Sequence, residues 1–131
     1  MKEIKELNVD NFTNFEELIQ KIIEIHEQLF PNATLNSQLD KFQEEFEETK
    51  EAIGKQEQYK EEIADMFIVG CGIKRYNRAV GLAIIKSILD DFETTEQLYD
   101  LAKQIINKMN KNINRKWDNK NGLYKHISIV N

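Results

Sequence analysis

Between Glu44 and Asp65 the chain reads EEFEETKEAIGKQEQYKEEIAD, nine carboxylates in twenty-two residues. Two quartets within it share one spacing, Glu45-x-x-Glu48 and Glu62-x-x-Asp65. Residues three apart are neighbours on a helix, so each helical quartet would set two acids side by side. Four like charges at close range repel one another and resist desolvation. A hard divalent cation resolves that conflict, because Mg²⁺ takes oxygen ligands and binds through carboxylates together with substrate phosphates. A solvated acidic surface satisfies the same spacing, and periodicity leaves both readings open. A di-iron bundle does not fit, since neither His26, in EIHEQ, nor His126 completes a Glu-x-x-His motif.

Cationic and aromatic residues of matching chemistry lie elsewhere in the chain. Lys108, Asn112 and Arg115 fall at i, i+4 and i+7, a helix face whose donors suit phosphate. Lys41, one turn before Glu45, can neutralise that carboxylate or a phosphate. A solvated basic helix end is the competing reading, because the helix dipole favours cations there. Trp117 and Tyr124 carry rings that stack on a base or pack in a core. His26 falls on the partly polar flank of the first helical segment, where a base-pocket role is open.

Five helical segments must position these residues. The first, about Phe15 to Leu29, spaces Leu18, Ile22, Ile25 and Leu29 for one apolar face. FPNAT ends it, with Thr34 or Asn36 as the next cap. The second runs from about Ser37 to Ile53, with Leu39, Phe42, Phe46 and Ile53 as its apolar stripe and Gly54 as its stop. Glu45 and Glu48 lie on the flank of that stripe, and Glu44, Glu47 and Glu51 fall further round towards water. A short link, GKQEQ, leads to the third helix, about Tyr59 to Tyr76. Helices joined so closely pack antiparallel as a hairpin, which lets the two carboxylate pairs approach. Gly70 and Gly72, around Cys71, imply a neighbour's backbone passing close to the third helix. The fourth, about Arg78 to Leu89, reads AVGLAIIKSIL and is apolar enough to be central or interfacial. The fifth opens at TTEQ, with Thr94 or Thr95 as cap, and continues towards Trp117. The tail carries turn residues and then an alternating HISIV, a short extended arm, with no strand run sufficient for a sheet. The class is all-α, a bundle of about five helices with a central antiparallel hairpin.

Composition bounds the rest. A chain of 131 residues is one domain's worth, 1–131, with one Pro and five Gly to interrupt long helices. A net charge of −5 argues against nucleic-acid binding. No apolar run suits a bilayer, and the N-terminus is too acidic for a signal peptide. Cys71 is the one cysteine and cannot form an internal disulfide, which favours the cytoplasm.

The order of the acids carries a resemblance. Glu45-x-x-Glu48, thirteen intervening residues, then Glu62-x-x-Asp65 resembles the signature of the all-α nucleoside triphosphate pyrophosphohydrolases, the MazG-like proteins and their dimeric dUTPase relatives. HEQLFPNATLNSQLDKFQEEFEE is similar to the entry of small, often phage-encoded members, with Phe42 in place of a usual Leu. KMNKNINRKW followed by NGLYKHI resembles the C-terminal end of that subgroup. The likeness runs from about residue 20 to residue 126. It implies a MazG-like fold and Mg²⁺-dependent hydrolysis of a nucleoside triphosphate between its α and β phosphates, with Mn²⁺ able to replace Mg²⁺. It implies Glu45, Glu48, Glu62 and Asp65 as metal ligands, with Glu44 or Glu48 as the acid that activates water. Lys41, Lys108, Asn112, Arg115 and Trp117 become expected substrate contacts. A homodimer or homotetramer is expected too, with the third and fourth helices at the interface through Leu82, Ile84, Ile85 and Ile88. The alternative function is a non-catalytic helical protein that keeps the fold and senses nucleotides or binds partners. The base and sugar preferred are not legible in these residues.

Overall fold

The computed structural model describes residues 3–55 and 59–127. After a single 3₁₀ turn at Val9–Asn11 come five helices: α1 (Phe15–Leu29), α2 (Leu35–Gly54), α3 (Lys60–Lys74), α4 (Arg78–Asp90) and α5 (Thr95–Asn114). The fold is all-α with one small antiparallel hairpin appended, β1 (Trp117–Lys120) and β2 (Leu123–His126). Among the described residues no helix is long and apolar enough to cross a membrane.

Side chains written into the sequence set the helix starts. Asn14 caps α1 by accepting from the Glu17 amide at 2.9 Å, and Asn77 caps α4 through the Val80 amide at 3.1 Å. Thr34 and Thr94 open α2 and α5 with reciprocal capping boxes, to Ser37 and Gln97. Of the alternative caps, Thr34 and Thr94 are therefore the ones used. The link segment expected between α2 and α3 includes residues 56–58, which lie outside the described residues.

The hydrophobic centre is α3, which packs against all four other helices. Phe67 to Ile73 is a continuous buried run. Its partners include Leu18, Ile22 and Ile25 of α1, Ile85 and Ile88 of α4, and Leu101, Ile105 and Met109 of α5. Glycines let the elements close up. A Cβ at Gly81 would sit 2.5 Å from the Lys74 backbone, so α4 crosses the end of α3 at a distance only Gly permits.

Three expectations change. Burial of Ile85 and Ile88 in the chain's own core removes them from the expected interface and leaves Val80 and Leu82 as the large, well-exposed apolar side chains described on α4. What approaches Gly70 and Gly72 is not backbone but side chains: Ile84 and Ile85 at the first, Gln38 and His26 at the second. The tail is not a lone arm. Asn121-Gly122 takes φ values of 54° and 87° and closes a two-residue hairpin, pairing Trp117 with His126 and Lys120 with Leu123. Consequently α5 stops at Asn114 and Trp117 begins a strand. His126 and Ile127 of the HISIV stretch are described, and residues 128–130 lie outside.

Helix α2 rotates differently from its apolar stripe. It buries Ser37, Gln38, Glu45, Thr49 and Ala52, while Leu39, Phe46 and Ile53 stand 40%, 41% and 53% exposed. Thr49 and Ala52 are small enough for close contact with α3. The Thr49 hydroxyl makes contacts of 2.8 Å to the Glu45 carbonyl and 3.2 Å to Met66 Sδ. The face turned inward is thus the one that carries carboxylates.

Candidate metal and phosphate site

Helices α2 and α3 lie side by side, and α2 turns Glu45 and Glu48 towards Glu62 on α3. One oxygen from each of these three acids lies within 4.8 Å of the others. Asp65 lines the same cavity of about 240 Å³ but is engaged by Lys108 Nζ at 3.3 Å. The cavity also brings in Lys41 from α2, and Lys108, Asn112 and Arg115 from the end of α5. Trp117 closes it from β1. Nine of the ten site residues that the resemblance implies thus share one cavity. The tenth, Glu44, is exposed and does not line it; Lys41 and Lys125 each stand 3.9 Å from its carboxylate.

The electrostatics are those of an acid cluster short of positive charge. Burial, then the charges of Asp65 and Glu48, push the Glu45 carboxyl up to about 8, against the pull of Lys41 at 3.9 Å. Burial raises Glu62 as well, with Asp65 and a hydrogen-bonding contact to Glu48 adding to it. Asp65 is lifted to about 6 by burial, although Lys108 acts in the opposite direction. Glu45 Oε2 and Glu62 Oε2 are buried and have no hydrogen-bond partner among the described residues. Buried polar atoms without partners are rare because each costs about 1–3 kcal/mol. Two carboxylate oxygens orphaned beside a third carboxylate are the chemistry that a hard cation satisfies, so these residues fit Mg²⁺ or Mn²⁺.

Lys108 is held by residues the sequence reading passed over. Glu61 accepts from Lys108 at 3.1 Å and from Lys111 at 2.9 Å, and those two ammonium groups drive its carboxyl down to about 2. Burial weakens the Lys108 charge, but Asp65 and Glu61 outweigh that and hold its pKa above the usual lysine value. Asn112 is buried; its side-chain oxygen accepts from Arg115 at 3.3 Å and its carbonyl from the Trp117 indole at 3.0 Å. Lys108, Asn112 and Arg115 therefore line one cavity, Arg115 from the C-cap of α5.

The other end of the cavity is aromatic. The Phe30 ring lies 4.8 Å from Trp117, 4.9 Å from Tyr124 and 4.9 Å from His26, centroid to centroid. Tyr124 Oη accepts from the Asn32 amide at 3.1 Å, tying the hairpin to the α1–α2 loop. Phe30, Leu123 and His126 line this end without having been singled out as site residues, and so does Gln38. Gln38 was detectable, since it precedes Glu45 by seven residues and so shares its helix face. Nothing in the sequence links Phe30 to Trp117, because their meeting depends on where the hairpin folds back.

No family model, curated protein or solved structure matches the chain.

Proposed function

We propose that the chain is a Mg²⁺-dependent nucleoside triphosphate pyrophosphohydrolase of the MazG-like kind, releasing a monophosphate and pyrophosphate and acting on the cytoplasmic nucleotide pool. The observation that carries this reading is the meeting, in one cavity, of an under-neutralised acid cluster with a set of phosphate-type donors. Glu45, Glu48 and Glu62 would hold Mg²⁺ or Mn²⁺, with Asp65 beside them, and the ion would supply charge neutralisation for the triphosphate and acidify a bound water.

The remaining work falls to this chain's own side chains. Lys108 and Arg115 donate to phosphate oxygens, and Asn112 holds Arg115 in place from below. Lys41 sits on the acid side of the cavity and balances charge between Glu45 and the phosphates. Of the two acids considered for activating water, Glu48 lines the cavity and Glu44 does not, so Glu48 takes the proton. Phe30, Trp117 and Tyr124 form a wall against which a base packs and from which water is excluded. Phosphoryl transfer asks mainly for such positioning and electrostatics, and the donors and acids supply both.

The same reading includes a homodimer or homotetramer. Leu39, Phe46 and Ile53 form an exposed apolar face on α2, and burying it against a second copy would recover about 25 cal/mol per Å². The interface so proposed lies on α2, with Val80 and Leu82 of α4 available to extend it.

The deciding experiment measures pyrophosphate release from a panel of deoxynucleoside and nucleoside triphosphates with Mg²⁺ or Mn²⁺. At least one triphosphate should yield equimolar monophosphate and pyrophosphate, and Asp65→Asn should abolish turnover while leaving the helical content unchanged. No release with any triphosphate would replace the enzyme with a nucleotide-sensing or interaction protein.

A further inference from the structure

Behind the aromatic end of the cavity lies a buried polar chain that metal binding and phosphate binding do not require. Arg75, at the end of α3, donates from Nη1 to His26 Nδ1 at 2.8 Å. The same nitrogen lies 3.1 Å from the Phe30 carbonyl and 3.4 Å from the His26 carbonyl, so the guanidinium is held from three sides. A guanidinium has no acceptor, so His26 Nδ1 must carry the lone pair and Nε2 the proton. His26 is 4% exposed, and burial together with the Arg75 charge drives its pKa down to about 4, so the ring is neutral. His26 Nε2–H then donates to Gln38 Oε1 at 3.1 Å.

That bond settles which way the Gln38 amide faces. Its oxygen is engaged by His26, and no hydrogen bond from its NH₂ group is made among the described residues. Gln38 is 6% exposed and lines the cavity. Room for the pair comes from Gly72, where any Cβ would overlap Gln38 Oε1 and come within 2.6 Å of His26 Nε2. Gln38 lies seven residues before Glu45 on the same helix, about 10 Å along its axis. The reach from the α-phosphorus of a nucleotide to the far edge of its base is of that order.

We infer that Gln38 reads the base of the substrate as a donor only, so that this site takes nucleotides whose base turns a carbonyl oxygen to it and rejects those that present an amino group. The inference rests on the nucleotide reading above and names the substrate class for it. His26 and Arg75 act as positioning residues: they lock the amide orientation and touch no reacting atom. An amide free to flip would accept from an amino group as readily as it donates to a carbonyl. Locked, it makes one pairing and leaves the other with two donors facing each other.

The test uses the full-length protein and product monophosphates, which need no turnover. Affinities are measured by calorimetry for dUMP against dCMP and for dIMP against dAMP, each pair exchanging a carbonyl for an amino group at one ring position. In at least one pair the carbonyl member should bind about tenfold tighter, the scale of a base-edge hydrogen bond. Gln38→Glu, which replaces the NH₂ donor with an acceptor oxygen, should abolish or invert that ratio. His26→Leu should bring the ratio towards one with Gln38 still present, and His26→Gln, which can donate again to Gln38, should restore part of it. Nitrogen NMR of the imidazole should show the Nε2–H tautomer at pH 7. A ratio near one in both pairs, failure of all four to bind at millimolar concentration, or an Nδ1–H tautomer would each overturn the inference. Pyrophosphate release from triphosphates, scored separately, would show whether the hydrolase reading survives that outcome.

Discussion

Replacing Glu45 by Gln should make the metal-free protein more stable at mildly alkaline pH, although it removes a ligand. Ordinary Glu titrates near 4.5, whereas burial and the neighbouring acids push Glu45 up to about 8. Between those values the folded state binds a proton that the unfolded chain has released, so stability falls as pH rises. Each factor of ten in proton affinity is about 1.4 kcal/mol. Ionising Glu45 in the metal-free fold therefore costs on the order of 5 kcal/mol in full, and about 2 kcal/mol of it is lost between pH 6.5 and 8. Glu62 and Asp65 are also raised and act with the same sign, Asp65 below about 6. His26 acts with the opposite sign: its lowered pKa gives stability that is lost as pH falls from its ordinary value towards about 4. Above pH 6.5 that contribution is constant, so the window from 6.5 to 8 belongs to the acid cluster. Thermal melts followed by circular dichroism in EDTA should show the wild-type Tm dropping by several degrees across that window. Glu45→Gln should flatten the drop, and saturating Mg²⁺ should reverse it in the wild type but not in the variant. A wild-type Tm that stays level from pH 6.5 to 8 in EDTA, or a variant that falls equally, would refute the reasoning.

Other perturbations probe other parts of the site. Lys108→Ala and Arg115→Ala should each cost about 1.5–3 kcal/mol of transition-state stabilisation, read as a lower kcat/KM for triphosphate; unchanged kinetics in both would return them to a solvated surface. Gly122→Ala puts a side chain at φ 87°, with its Cβ 2.7 Å from the Asn32 carbonyl, and should raise KM by displacing the aromatic wall while metal binding persists. Leu39→Glu combined with Phe46→Glu should reduce the particle from at least twice the 15.5 kDa chain mass to a monomer in light scattering; a wild type that is already monomeric would remove the proposed α2 interface.

Much of this arrangement was legible before any coordinates. The five helices, caps narrowed to Thr34 or Asn36 and Thr94 or Thr95, and the approach of Glu45-x-x-Glu48 to the acids of α3 follow from local spacing, which sets helix faces but leaves the choice of cap and the register open. What spacing could not settle was which of two adjacent faces α2 would bury. The stripe of Leu39, Phe46 and Ile53 is the more apolar, yet the face of Gln38, Glu45 and Thr49 goes inside. Burial within one chain is decided by fit to α3, where Thr49 and Ala52 allow close approach, and apolar content alone does not report that fit. The hairpin had a local signal in Asn121-Gly122, a pair suited to the positive φ of a two-residue turn. Its docking had none, because the contact from Tyr124 to Asn32 spans 92 residues. The His26–Arg75 bond likewise joins residues 49 apart, beyond any helical period.

The placement of Lys108 has a consequence for how the chain assembles. Contacts between α2 and α3, such as Thr49 to Met66, close over 17 residues, whereas Lys108 reaches Glu61 across 47. Short loops close first, because chain entropy grows with the length to be closed. The acids therefore gather while Lys108 is still distant, and the early helical pair has Lys41 beside Glu45 but lacks the ammonium that faces Asp65 in the folded chain. A divalent ion present at that moment would do for the nascent hairpin what Lys108 does later for Asp65. Refolding should accordingly be faster with millimolar Mg²⁺ than in EDTA, with the gain confined to the step that joins α2 to α3.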